Sequence, residues 1–126
     1  MRLGLAANRL HHATEDAALF RWLRASGQGI RELGLDLHAV GRTYDAIVAA
    51  GMLGGHAGLK RYPYGREGGL MKLVAEVVGM ESPERTLDGA IYLIDPVDPS
   101  SIFPEALALK RQCVIHGKPF ISTVAT

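Results

Sequence analysis

The chain carries one cysteine, Cys113, among 126 residues. That excludes an internal disulfide framework and predicts a reducing, cytoplasmic setting. Long apolar runs are missing too. Nothing approaches the roughly 20 residues needed to span a bilayer, and the first apolar run is too short for a signal peptide. Charge of one sign is not in excess: the formal net charge of +1 leaves no electrostatic footprint for nucleic acid or an anionic membrane. Repeats, low-complexity tracts and interdomain linkers are absent, so one domain is expected over residues 1–126. Three kinds of chemistry lack their motifs. No Lys-Ser/Thr follows the glycines, as a Walker-type phosphate loop requires. There is no Gly-x-Ser-x-Gly elbow for a serine nucleophile. His11-His12 has no matching Cys or His cluster elsewhere, and neighbours on a helix point about 100° apart, so no metal is expected.

What is present is an ordinary globular composition, 48% hydrophobic and 21% charged, arranged in alternating short elements. Residues 90–94 are an uninterrupted apolar run stopped by Asp95-Pro96, which reads as a strand buried on both faces. Pro96 has no N–H to extend the ladder. Residues 3–7 predict a first strand, 35–40 a second and 119–124 a last. Between them the spacing predicts a helix capped by Thr14 and ended by Gly27 and Gly29, a second over 44–52, a third over 70–78, and one opening at Pro104-Glu105. Cys113 belongs to the apolar row of that last helix, as a packing residue. Residues 54–69 predict a long Gly-rich, basic loop, of the kind that serves function in a compact domain. Strands alternating with helices give a doubly wound α/β sandwich with a mainly parallel sheet.

The carboxyl ends of such strands open on one edge, where small ligands bind. Four segments meet there: Asn8-Arg9 with His11 and His12, then Gly41-Arg42-Thr43, Asp95 to Asp98, and Ser122 to Thr126. The loop with Gly65 and Arg66 can fold over them. Cations and hydroxyls beside helix N-termini are how proteins hold a phosphate. Carboxylates at Glu67, Asp95, Asp98 and Glu105 are candidates for proton transfer.

The order Leu-Gly-Leu-Ala-Ala-Asn-Arg (3–9), Ala-Val-Gly-Arg-Thr (39–43), Pro-Tyr-Gly-Arg-Glu-Gly-Gly (63–69), Ile-Asp-Pro (94–96) and Pro-Phe-Ile-Ser-Thr-Val-Ala-Thr (119–126) resembles the methylglyoxal synthase family. The resemblance runs along essentially the whole chain and is strongest over 87–126. It implies a parallel α/β fold, a homohexamer, no cofactor and no metal. It also implies elimination of phosphate from dihydroxyacetone phosphate, or a related small phosphorylated ketone, to give methylglyoxal. Carried over by position, Asp95 keeps the aspartate of the Asp-Pro motif, Glu67 stands where the family has its catalytic aspartate, and Glu105 where it has another. Thr43 keeps one hydroxyl of a phosphate loop. Asn8 and Arg9 replace a His-Asp pair, His12 a phosphate-binding lysine, and Ile102 a histidine. The family pattern continues past the position of Thr126 with an arginine that reaches a phosphate. The resemblance thus casts Glu67, Asp95 and Glu105 as catalytic, and Asn8, Arg9, His12, Arg42, Thr43, Gly65 and Arg66 as binding substrate or phosphate. The partners expected are a small phosphorylated metabolite, inorganic phosphate and further copies of the chain. The alternative is the same fold as a non-catalytic domain that binds a phosphorylated metabolite or nucleotide.

Overall fold

Short apolar segments become strands here because each is closed by a residue that cannot continue it, and helices because apolar residues recur on one face. In the computed structural model, strands β1 (Arg2–Ala7), β2 (Asp36–Ala39), β3 (Leu59–Arg61), β4 (Gly89–Leu93) and β5 (Phe120–Ile121) alternate with helices α1 (Ala18–Leu33), α2 (Gly41–Ala49), α3 (Gly69–Val78) and α4 (Pro104–Ile115). The structure describes residues 1–80 and 82–123, apart from the side chains of Arg66 and Ile102. The five strands form one sheet in the order β3-β2-β1-β4-β5, and each pairing is parallel. The chain first travels β1 to β3 across one half of the sheet, then returns past β1 to β4 and β5. Crossovers of one hand must put their helices on opposite faces when that direction reverses. The core divides accordingly. Leu19, Leu23 and Ile30 of α1 and Ile47 of α2 pack on Leu5, Leu37 and Ile91. Leu70, Leu73 and Val77 of α3 and Leu109 and Cys113 of α4 pack on Ala6, Ala90 and Tyr92. This is a doubly wound α/β architecture. Among the described residues no helix is long and apolar enough to cross a membrane.

The expected strands and helices reappear, with corrections. The first helix neither starts at Thr14 nor stops at Gly27 and Gly29. It begins after Ala17 and ends at Gly34, whose left-handed φ of 61° closes it. A glycine inside a helix costs about 1 kcal/mol relative to alanine. Nothing lies within 4 Å of a Cβ at Gly27 or Gly29, so these positions only weaken a helix that Leu23 and Ile30 anchor on either side. The Gly-rich segment is also not all loop, because it contains β3, whose Lys60 and Arg61 are exposed on the sheet edge. The second helix starts at Gly41 rather than at 44. The third expected strand is shifted by one residue, to Gly89–Leu93. The last strand covers only Phe120–Ile121 of the expected 119–124; residue 124 of that expectation lies outside the described residues.

Candidate functional site

β1 and β4 lie side by side where the strand order turns back, and their carboxyl ends diverge into different loops. In open α/β sheets that divergence opens a crevice. One side chain joins its two banks. Asn8, only 6% exposed, donates its backbone N–H to Leu93 O at 2.8 Å and accepts the Asp95 N–H on Oδ1 at 2.7 Å. Its Nδ2 donates to Tyr92 Oη at 3.2 Å and to Ser100 Oγ at 3.3 Å. The Asp95 contact settles which end of the amide is oxygen, since a backbone N–H can only donate.

Above this junction, on the α3–α4 side of the sheet, is a cleft of ≈ 550 Å³. Its floor is Ala6 of β1, Tyr92 of β4 and Val40, the residue just after β2, all on that face. The first wall is the start of α2, with Arg42 and Thr43. The residue before α2 is Val40, whose side chain cannot cap the helix, so the positive end of its dipole is open to an anion. Thr43 Oγ1 accepts the Ala7 N–H at 3.1 Å, which ties α2 to β1 and leaves the hydroxyl proton free to donate. Arg9 and His12 join from the short turn after β1. Burial holds the His12 imidazole below its ordinary pKa; its own backbone hydrogen bond opposes this, while Arg42, Arg9 and His11 add to it. Arg9, Arg42 and the imidazole of His12 thus lie within one another's fields on the side of the cleft built by the segments after β1 and β2.

The second wall is Tyr64, Gly65 and Leu70, from the segment after β3. The Tyr64 ring rests against the first turn of α2: a Cβ on Gly41 would stand 2.5 Å from its Cδ1. The guanidinium groups of Arg42 and Arg61 lie 5.5 Å and 5.2 Å from the ring centre. The third wall, after β4, is Asp98, Ser100, Phe103 and Glu105. Asp98 Oδ1 accepts from Ser100 N at 2.9 Å and from Ser100 Oγ at 2.8 Å. Glu105, in the first turn of α4, has no hydrogen-bond partner among the described residues. The cleft thus sets cations and a helix N-terminus, from the segments after β1 and β2, against two carboxylates from the segment after β4, whose fields reach the Tyr92 phenol on the floor.

The structure brings Asn8, Arg9, His12, Arg42, Thr43, Gly65 and Glu105 together around one space. Glu67 and Asp95 do not line it. Glu67 is exposed on the turn Gly65–Glu67, where Gly68, with φ of 107°, redirects the chain into α3. Asp95 Oδ1 accepts the Val97 N–H at 3.1 Å, so that carboxylate shapes the turn after β4. The Arg66 side chain lies outside what is described. Tyr92, Ser100, Tyr64 and Phe103 were not singled out from sequence. Tyr92 had one signal, as the hydroxyl-bearing residue inside a buried apolar strand. Among the described residues no group of three or more His, Cys, Asp or Glu could hold a metal ion.

No family model matches the chain, and no curated protein matches it either.

Proposed function

We propose that this chain is a phosphate-eliminating carbon–oxygen lyase of the methylglyoxal synthase type, on the fold of that family. Its substrate would be dihydroxyacetone phosphate or a closely related small phosphorylated ketone. The observation that carries the reading is the polarity of the cleft. Arg9, Arg42, His12 and the open end of α2 suit a phosphate at one end, and Glu105 and Asp98 suit a proton acceptor at the other. Elimination needs both ends. Glu105 takes a proton from the hydroxyl-bearing carbon beside the carbonyl; the C–H electron pair becomes the new C=C bond and the carbonyl π pair moves onto oxygen, giving an enediolate. The adjacent hydroxyl then becomes an aldehyde, its proton passing to the departing phosphate as the bond between the terminal carbon and the phosphate ester oxygen breaks. The proton on Glu105 returns to the terminal carbon of the remaining enolate, which leaves as methylglyoxal.

Glu105 is the better base of the two carboxylates, because Asp98 is already committed to Ser100. Glu67, the base implied by resemblance, has no such support, being exposed and off the cleft. The test is turnover of dihydroxyacetone phosphate, following free phosphate and methylglyoxal together. Glu105→Gln is expected to lower kcat by about 10²–10⁴, and Glu67→Gln by less than about threefold. Loss of turnover in Glu67→Gln alone would reverse the assignment.

One observation favours a second reading, in which the cleft binds a phosphorylated metabolite without turning it over. Neither Glu67 nor Asp95, two of the three carboxylates implied as catalytic, reaches the cleft lining. Saturable phosphate binding with no product from dihydroxyacetone phosphate would select it. A homo-oligomer is proposed on resemblance, and light scattering of the full chain tests it.

A further inference from the structure

The cleft contains an acid that neither the motifs nor the resemblance assigns. Tyr92 stands on β4 directly across from Ala6 of β1, on the β4 side of the floor, and is 3% exposed. A phenol so buried must place one acceptor oxygen and one proton. The oxygen is accounted for by Asn8, whose amide nitrogen can only donate and whose orientation is fixed from its other end by Asp95. The neighbouring hydroxyl makes its bonds elsewhere, since Ser100 Oγ accepts from Asn8 and donates to Asp98. The proton of Tyr92 has no acceptor among the described residues, and the space beside it is the cleft.

Tyr92 also keeps that proton. Burial raises the pKa of the phenol, with the negative fields of Asp98 and Glu105 adding to the rise and the Asn8 hydrogen bond opposing it. A neutral donor fixed on the floor, within the field of a carboxylate base, is the pairing that carbonyl chemistry uses. One group removes a proton from carbon while the other holds the oxygen on which charge accumulates. The alternation of β4 makes this arrangement: Ile91 and Leu93 face α1 and α2, while Ala90 and Tyr92 face α3 and α4.

We propose that Tyr92 is a catalytic residue whose hydroxyl donates to the carbonyl oxygen of the bound substrate. The bond strengthens as that oxygen becomes an enediolate, and no net proton transfer from the phenol is required. This rests on the elimination proposed above, but it concerns the recognition of a carbonyl and can be measured apart from turnover.

The experiment uses the full chain and the variant Tyr92→Phe, which keeps the ring and loses only the hydroxyl. Thermal melting checks the fold, and calorimetry with inorganic phosphate checks the cationic end. Phosphate affinity is expected to stay within about twofold. With dihydroxyacetone phosphate as substrate, kcat is expected to fall by about 10²–10³ with little change in KM. A merely structural role would lower stability and leave kcat alone. If the wild-type chain forms no product, the readout becomes its preference for dihydroxyacetone phosphate over glycerol 3-phosphate in calorimetry. These two differ at the carbon that carries the carbonyl. Loss of that preference in Tyr92→Phe would uphold the carbonyl donor while the elimination reading fails. An unchanged kcat, an unchanged preference, or a wild-type chain with no preference to lose would overturn the assignment.

Discussion

Asn8 Oδ1 accepts the Asp95 N–H at 2.7 Å, so a single side chain spans the gap between β1 and β4 at the place where the sheet order reverses. Both amide hydrogens are spent as well, on Tyr92 and Ser100. Asn8→Ala removes an acceptor from a backbone N–H and a donor from a buried phenol together. Each buried group left unpaired costs about 1–3 kcal/mol, so urea unfolding should show a loss of about 2–4 kcal/mol. Asn8→Asp should cost less, because Tyr92 and Ser100 can turn their hydroxyl protons toward a carboxylate while Asp95 keeps its acceptor. Equal losses in the two variants would mean that the crosslink contributes little.

Gly41 exists for a different reason, one of space rather than backbone angle. A Cβ there would meet Tyr64 Cδ1 at 2.5 Å and Cε1 at 2.9 Å. Gly41→Ala should therefore push the ring away from α2 and open the wall of the cleft, at about 1–3 kcal/mol for overpacking. Because the obstacle is a side chain, Tyr64→Ala in the same protein should recover most of that loss. Gly69→Ala should find no such relief, since its Cβ would run into the Pro63 carbonyl. Melting temperatures of the two single variants and the double variant measure the difference.

These two sites mark what the sequence makes legible. Residues that follow strand ends directly, such as Arg9 after β1 and Arg42 at the start of α2, can be placed on the carboxyl edge once the strands are recognised. A stop such as Asp95-Pro96 fixes where β4 ends to within a residue. Tyr92 was hidden because in a strand buried on both faces an aromatic ring is read as packing; only its partner across the gap, Asn8, makes the hydroxyl matter. β3 escaped because a three-residue edge strand with two exposed cations looks like loop. Glu67 and Asp95 sit in the right segments, but the direction of a side chain on a tight turn depends on backbone dihedrals. At Gly68 the backbone takes a φ of 107°, and the Asp95 carboxylate turns back onto the Val97 N–H.

His12 supplies a pH test of the cleft. Burial, Arg42 and Arg9 hold its pKa below the ordinary value near 6.5, so in the empty site it is neutral at pH 7. A bound anion would favour the charged form and take up a proton. Sulfate does not titrate in this range, and its affinity should rise as pH falls from about 7 through the lowered His12 pKa. His12→Asn should bind sulfate with a nearly flat profile over that range. Calorimetry in buffers of different ionisation heat would register the proton uptake; its absence in the wild type would place the anion away from His12.

Beneath the segment that carries Tyr64 lies a second polar group, buried between β2 and α3. Tyr62 Oη donates to Glu76 Oε2 at 2.5 Å, Lys72 Nζ lies 3.7 Å from Glu76 Oε1, and the ring of His38 meets Tyr62 edge-on at 5.2 Å. His38 is 2% exposed and neither ring nitrogen has a partner among the described residues. Its pKa is lowered, by burial first and then by Arg2, with Glu76 and Asp36 acting against them. For a histidine whose folded pKa lies below its unfolded one, the stabilising contribution is present above about pH 6.5 and is lost as pH falls through the folded value. Folding stability should therefore decline from pH 6.5 downward. His38→Phe keeps the edge contact and removes the unpaired nitrogens, so it should reduce that slope and raise stability at pH 6 by about 1 kcal/mol. Tyr62→Phe should do the opposite: it strips a donor from a carboxylate that is itself 2% exposed, at about 2–3 kcal/mol. Urea midpoints at pH 5, 6 and 7.5 separate the two effects. A His38→Phe protein as acid-labile as the wild type would assign the decline to other groups.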